Sequence, residues 1–284
     1  MKFVYNILIF IFISGALSGC DDALNWGVSD DDRTVNYQIL EFSRKGGQCL
    51  GDPKVTKENE RCATVKVRYP EIETTPVADM RDQLNTKIQD ILLSGSIDEA
   101  KPKDIEQMAY LFIQEFKKEL EHSAASWNLE KDIQVMLNTP QIISFQINES
   151  GYTGGAHGYS NTSFMNIDLD IMQEVKLADL LLPGYEAELN VTGEKIFRDI
   201  RDIPADADLY EAGFEFENNQ FALSDESNSF GVTDKGLLFY FNSYDIASYA
   251  DGPTEVFIPY SKIQNLIDPN GLISSFIVAN NSNN

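Results

Sequence analysis

The chain has 284 residues, 43% of them hydrophobic, with 45 Asp and Glu against 22 Lys and Arg and a formal net charge of −23. Nucleic acid and anionic lipid headgroups are poor partners for a surface this acidic; it serves solubility, or it attracts a cationic partner. The length supports one large core or two modest ones.

Lys2 is a lone positive charge ahead of Phe3-Val4-Tyr5 and an apolar run from Ile7 to Ile13, the pattern of a secretory signal. The run is shorter than the roughly 20 apolar residues a membrane-spanning helix needs. Ser14-Gly15-Ala16 lead into Leu17-Ser18-Gly19-Cys20, which resembles the lipobox cut just before its cysteine. Residues 1–19 are therefore expected to be removed and Cys20 to become a lipidated N-terminus, an ordinary signal with a chance cysteine being the alternative. Two or three acyl chains, at about 0.8 kcal/mol per buried CH2, would hold the protein on a membrane almost permanently. Residues 20–34 are acidic and patternless, which suits a tether. The expected location is extracytoplasmic: the periplasmic face of an inner or outer membrane, or the cell surface, with Asp21 leaving the choice open.

Strands are expected at 35–42 and 63–69, the second alternating Val65 and Val67 with Lys66 and Arg68, and the two are expected to pair. Between them lie Cys49 and Cys62, the two remaining cysteines, which in an oxidising compartment are most simply a disulfide closing the polar loop 50–61. Val77, Met80, Leu84, Ile88, Ile91 and Leu92 recur at helical spacing after Pro76. A second helix is expected over 103–123, with Ile105, Met108, Phe112, Phe116 and Leu120 on one face. His122 near its end reads as a solvated residue favoured by the helix dipole rather than a ligand.

From Asp132 the period becomes two. Ile133, Val135 and Leu137, a turn at Asn138-Thr139-Pro140, then Ile142, Ile143, Phe145 and Ile147 make a hairpin, which 162–170 extends. Helical segments are expected at 177–182 and 186–201, short strands at 220–223 and 229–233, a tight turn at 234–236, strands at 237–241 and 255–259, and a helix at 261–267. Helices and strands that do not alternate regularly imply an α+β fold, here two small subdomains of antiparallel sheet packed against helices. The expected division is 35–157 and 158–270, with 271–284 a C-terminal tail.

The most individual stretch is Thr153-Gly154-Gly155-Ala156-His157-Gly158, followed by Asn166-Ile167-Asp168 and Leu177-Ala178-Asp179-Leu180-Leu181. Together with Thr233-Asp234-Lys235-Gly236-Leu237, the run Tyr244 to Gly252, and Ile258-Pro259-Tyr260, it resembles the RsiV-like family, named for an anti-sigma factor whose extracellular part binds lysozyme. The first half, with Val67-Arg68-Tyr69-Pro70 and Leu84-Asn85, resembles the PdaC-type domain that commonly precedes it. Ser248 stands where the family usually has proline. The resemblance implies a lysozyme or peptidoglycan ligand. No segment precedes the apolar run that could act in the cytosol, so signalling of the anti-sigma kind is not expected.

Gly154, Gly155 and Gly158 allow a sharp turn between strands, and His157 is expected to fix that turn through its ring nitrogens, a catalytic role being the alternative. Tyr244, Tyr249, Asp251 and Pro253 form a possible binding loop of aromatic anchors and polar groups; packing of a hairpin end accounts for the tyrosines equally well. No metal or cofactor is expected, since His122 and His157 are far apart and the nucleotide, metalloprotease and serine-hydrolase motifs are missing. The leading expectation is a non-catalytic envelope lipoprotein that binds a basic protein such as lysozyme, or peptidoglycan. A structural or assembly lipoprotein and a carbohydrate-active enzyme are the alternatives.

Overall fold

The computed structural model describes residues 35–76, 78–95, 101–120, 125–224, 226 and 229–276. The expected signal, Cys20, the tether, His122 and the tail beyond 276 lie outside them.

A six-stranded sheet is built from β1 (Asn36–Gln48), β2 (Arg61–Thr74), β3 (Trp127–Asn138), β4 (Ile142–Tyr152), β5 (Tyr159–Asp168) and β6 (Gln173–Glu174), ordered as in the sequence. β1 and β2 form the expected antiparallel pair, closed by the Cys49–Cys62 disulfide. β2 and β3, by contrast, run parallel, in register from Ala63 against Trp127 to Arg68 against Asp132. Parallel neighbours require a crossover, and here it is made by α1 (Ala78–Leu93) and α2 (Ile105–Glu119).

Both helices bury the stripe that the apolar spacing marks out: Met80, Leu84, Ile88 and Leu92 from α1; Ile105, Met108, Phe112 and Phe116 from α2. They pack with Val65, Val67, Leu129, Ile133 and Phe145 of the sheet. The start of α2 is set by Asp104, whose Oδ1 accepts from the Gln107 N–H at 2.7 Å, and its end is favoured by Lys117 and Lys118 in the last turn. Asn85 pins α1 to β2 by accepting from the Ile72 N–H and donating to the Ile72 carbonyl, both at 2.9 Å.

β3 starts five residues before the expected Asp132, in unbroken alternation, with Trp127, Leu129, Lys131 and Ile133 all facing in. The charge on Lys131 disguises an inward position. The turn after β3 is held by Thr139, whose N–H and hydroxyl both donate to the Ile142 carbonyl at 3.0 Å. The expected boundary at 157/158 falls between β4 and β5 of this one sheet.

A three-stranded antiparallel sheet follows, β7 (Phe230–Val232), β8 (Gly236–Phe241) and β9 (Thr254–Pro259), packed with α3 (Glu186–Ile200). Its core joins Leu189 and Phe197 of α3 to Phe230, Val232, Leu237, Phe239, Val256 and Ile258. The sheets meet where Gly231 leaves no room for a side chain: a Cβ there would lie 2.7 Å from Phe164. Beside it, fully buried Asn166 of β5 donates to the Phe230 carbonyl at 2.8 Å and accepts from the Val232 N–H at 3.0 Å and the Ser144 hydroxyl at 2.6 Å. This α+β architecture of two largely antiparallel sheets against helices is the class the sequence predicts.

Three expected elements take other forms. Residues 220–223 join no ladder: Phe221 packs among Phe197, Phe216 and Phe241 while the Leu223 N–H is satisfied by the Asn190 side chain at 2.9 Å. The apolar residues there are spent on packing, which alternation alone does not distinguish from strand. The helix expected at 261–267 is two 3-10 turns, Tyr260–Lys262 and Gln264–Leu266, and that at 177–182 is one, Leu177–Asp179. Leu181 and Ile267 then bridge as single extended residues, which straightens both segments.

Candidate functional site

The link between β4 and β5 carries the glycine-rich motif. Gly154 and Gly155 adopt φ of 98° and 95°, conformations that L side chains rarely reach. Gly158 is needed for space instead: a Cβ on it would lie 2.7 Å from the Gly151 carbonyl oxygen. Tyr152 closes the turn by donating its hydroxyl to the Gly155 carbonyl at 2.9 Å. Thr153 and His157 are exposed on it.

His157 uses both ring nitrogens. Nδ1 lies 2.9 Å from the Gly158 carbonyl, which can only accept, so this nitrogen carries a proton. Nε2 lies 3.3 Å from the hydroxyl of Tyr244, 87 residues later. The imidazole also stacks on Tyr249, ring centroids 3.9 Å apart and planes 17° from parallel, and the two tyrosine rings are 5.7 Å apart. Two stretches read separately in the sequence thus form one aromatic patch of His157, Tyr244 and Tyr249. It faces water: Tyr244 is 64% exposed and Tyr249 39%.

The loop from β8 to β9 is fixed from three sides. Asn242 accepts from the Thr162 N–H at 2.7 Å and donates to the Thr162 carbonyl at 3.0 Å, attaching the loop to β5. Asp245 caps the turn by accepting from the Asn242 N–H at 2.6 Å, and Ser248 donates to Asp251 at 2.6 Å. Arg201, just past α3, donates to the carbonyls of Asp251, Gly252 and Pro253 at 2.9, 3.1 and 2.9 Å and to the Thr254 hydroxyl, with its guanidinium 5.4 Å over the Phe214 ring. Asp251 therefore serves the loop's shape through both its carboxylate and its backbone carbonyl, and Pro253 through its carbonyl.

Tyr244 itself has φ of 75°. A bulky side chain in the left-handed region costs about 1–3 kcal/mol and persists only where its surroundings impose it. Here the Asn242–Asp245 turn imposes it, and the result is an exposed ring held beside His157. Asp245 and Asp251 flank the patch, so its polar edge is negative. An adjacent polar cleft of about 360 Å³ is lined by Asn161, Ser163, Ser224, Tyr240 and Asp245.

Such a patch can stack against a sugar ring or an apolar side chain and accept hydrogen bonds from a cationic partner. Among the described residues, no three His, Cys, Asp or Glu side chains are grouped so as to hold a metal ion. Arg201, Asn242 and Thr162 were not legible as site residues. Asn242 carried the one usable signal, an Asn three residues ahead of an Asp at a strand end; nothing near Arg201 announces a clamp.

Residues 56–160 match the family described as Deacetylase PdaC, and residues 178–261 match the family described as Protein of unknown function (DUF3298). No curated protein matches the sequence. Among solved structures, the fold is similar to that of a DUF3298 family member from Bacteroides fragilis, with a TM-score of 0.63 and 20% identity over 86% of this chain and 98% of that one. It is likewise similar to a DUF3298 family protein from Pseudomonas aeruginosa, with a TM-score of 0.59 and 19% identity over 84% of this chain and 97% of that one.

Proposed function

We propose that this chain is a non-catalytic module of the bacterial cell envelope, tethered by lipid on Cys20, that binds a protein or glycan through His157, Tyr244 and Tyr249. The observation that carries the reading is the convergence of the glycine-rich turn and the strained tyrosine loop into one exposed aromatic patch. Two elements from different sheets are clamped to present three rings outward, an arrangement that packing the fold does not require. A lysozyme or peptidoglycan is the ligand suggested by the resemblance to the RsiV-like family. Of the two, a basic lysozyme gains most from the acidic surface, which would speed its association at low salt.

The test is calorimetry of the mature chain, with Cys20→Ser replacing the lipid, against lysozymes and purified peptidoglycan at low and moderate salt. Binding to one of them, weakened by Tyr249→Ala with the fold retained, supports the reading; no binding to either overturns it. The match of residues 56–160 to a family described as a deacetylase favours a second reading, modification of peptidoglycan. Release of acetate from glycan strands by the same protein would establish it.

A further inference from the structure

β1 is the first strand of the six-stranded sheet's order, and the direction of its backbone groups follows from β2. The Cys62 N–H donates to the Ser126 hydroxyl, and the Ile72 N–H and carbonyl both bond Asn85, so the even-numbered residues of β2 have their backbone groups engaged away from β1. The odd-numbered ones make the ladder, and the register sets them against Gln38, Leu40, Phe42, Arg44 and Gly46. Ile39, Glu41, Ser43 and Lys45 are left with their N–H and carbonyl groups facing outward. Among the described residues no strand lies beyond them. Pro70 fits the same pattern, standing opposite Ile39 where β1 needs no N–H from it.

An open edge of this length is a site for strand pairing, and its charges are self-complementary. Phe42 packs on the core, so Glu41, Ser43 and Lys45 share the face away from the helices. The Glu41 side chain is 77% exposed and lies 3.8 Å from Arg68, which holds Asp132 more closely at 3.2 Å. Lys45 is exposed and, among the described residues, has no carboxylate partner. When two copies pair antiparallel about a two-fold axis at Ser43, outward-facing residues meet outward-facing residues, and Glu41 of each copy lies opposite Lys45 of the other. An axis at Glu41, Arg44 or Lys45 would set like charges together, and one at Phe42 would set Glu41 against Ser43 and Lys45 against Ile39. Only the Ser43 register pairs opposite charges, and it does so twice.

We propose that β1 is a dimerisation edge, pairing antiparallel with β1 of a second copy about Ser43 and joining the two six-stranded sheets into one. The axis stands perpendicular to the sheet, so the helices of both copies lie on the same face. The net charge of −23 on each chain opposes association at low salt. At about 0.15 M salt the screening length is about 8 Å, which removes most of the long-range repulsion and leaves the opposite charges that touch at the edge. The inference is independent of the ligand of the aromatic patch.

The test is sedimentation velocity of the mature chain carrying Cys20→Ser, from micromolar to millimolar concentration at physiological salt. A reversible monomer–dimer equilibrium is expected. Glu41→Lys and Lys45→Glu both change exposed side chains, and each should weaken the dimer about tenfold or more by turning two cross-strand ion pairs repulsive. An equal mixture of the two variants should recover the dimer, because the two introduced charges then face each other. Circular dichroism on each variant confirms the fold. A monomer at every concentration would overturn the proposal and leave the edge to a strand of another protein. So would a dimer that both variants leave unchanged, which would place the contact on another surface, or a mixture that associates no better than either variant alone.

Discussion

Asn242 and Thr162 exchange two hydrogen bonds, the side-chain amide of one standing in for a strand residue against the backbone of the other. Among the described residues, much of β5 has no strand beyond it, because β6 pairs there with Ile167 and Asp168 alone. Asn242 takes up that vacant edge and thereby sets where Tyr244 sits. Asn242→Ala should lower stability by about 1–3 kcal/mol and speed amide exchange over residues 243–253. Exchange unchanged in that loop would show that Arg201 alone suffices to hold it.

Tyr244 makes the opposite prediction. Because its φ is positive and its ring is mostly exposed, Tyr244→Gly should raise stability by about 1 kcal/mol while reducing affinity for the partner. Denaturant midpoints and calorimetry on the same variant measure both. A variant that is less stable would mean the ring contributes more through His157 than the backbone loses.

The disulfide tests the β1–β2 hairpin. Cys49 and Cys62 are 13 residues apart and close a polar segment with little packing of its own. Reduction, or replacement of both by Ala, should cost about 3 kcal/mol and lower the melting midpoint by roughly 6–12 °C. Scanning calorimetry with and without reductant reads this directly.

Two tyrosines should make the protein sensitive to alkali. Burial raises the Tyr260 hydroxyl far above its ordinary range, helped by the nearby Asp234 charge. Burial likewise raises Tyr159, aided by Glu149. The folded state then holds these protons more tightly than the unfolded chain does. Their contribution is complete below the unfolded tyrosine pKa of about 10 and declines as pH rises above it. Tyr260→Phe, which gives up a 2.8 Å bond to the Thr233 carbonyl, should cost about 1 kcal/mol at neutral pH and flatten the alkaline decline. Denaturant midpoints at rising pH, with tyrosinate absorbance, check the sign.

Both long helices of the crossover and the β3–β4–β5 meander were legible because their buried faces repeat at 3.6 or two residues. Lys131 was not, since a charged residue at an inward position reads as solvent-facing until its partner Glu149, on the next strand, is seen. The parallel pairing of β2 with β3 was hidden for a related reason: periodicity reports which face of a strand is buried, not which strand lies beside it. The candidate site was half legible. His157 and the tyrosine loop each stood out, while their stacking joins residues 92 positions apart in the chain and depends on Asn242 and Arg201, whose roles are set by the assembled fold.

The parallel ladder has a kinetic consequence. The β1–β2 hairpin and the β3–β4–β5 meander each need only neighbouring strands, so either can form early. Their union ties Lys66 to Glu130, 64 residues away, and encloses α1 and α2. Loop entropy makes contacts of such separation slow to form. The ladder is therefore the step at which two local assemblies become one cooperative unit, and until it closes, the apolar faces of both helices wait for a surface to cover them.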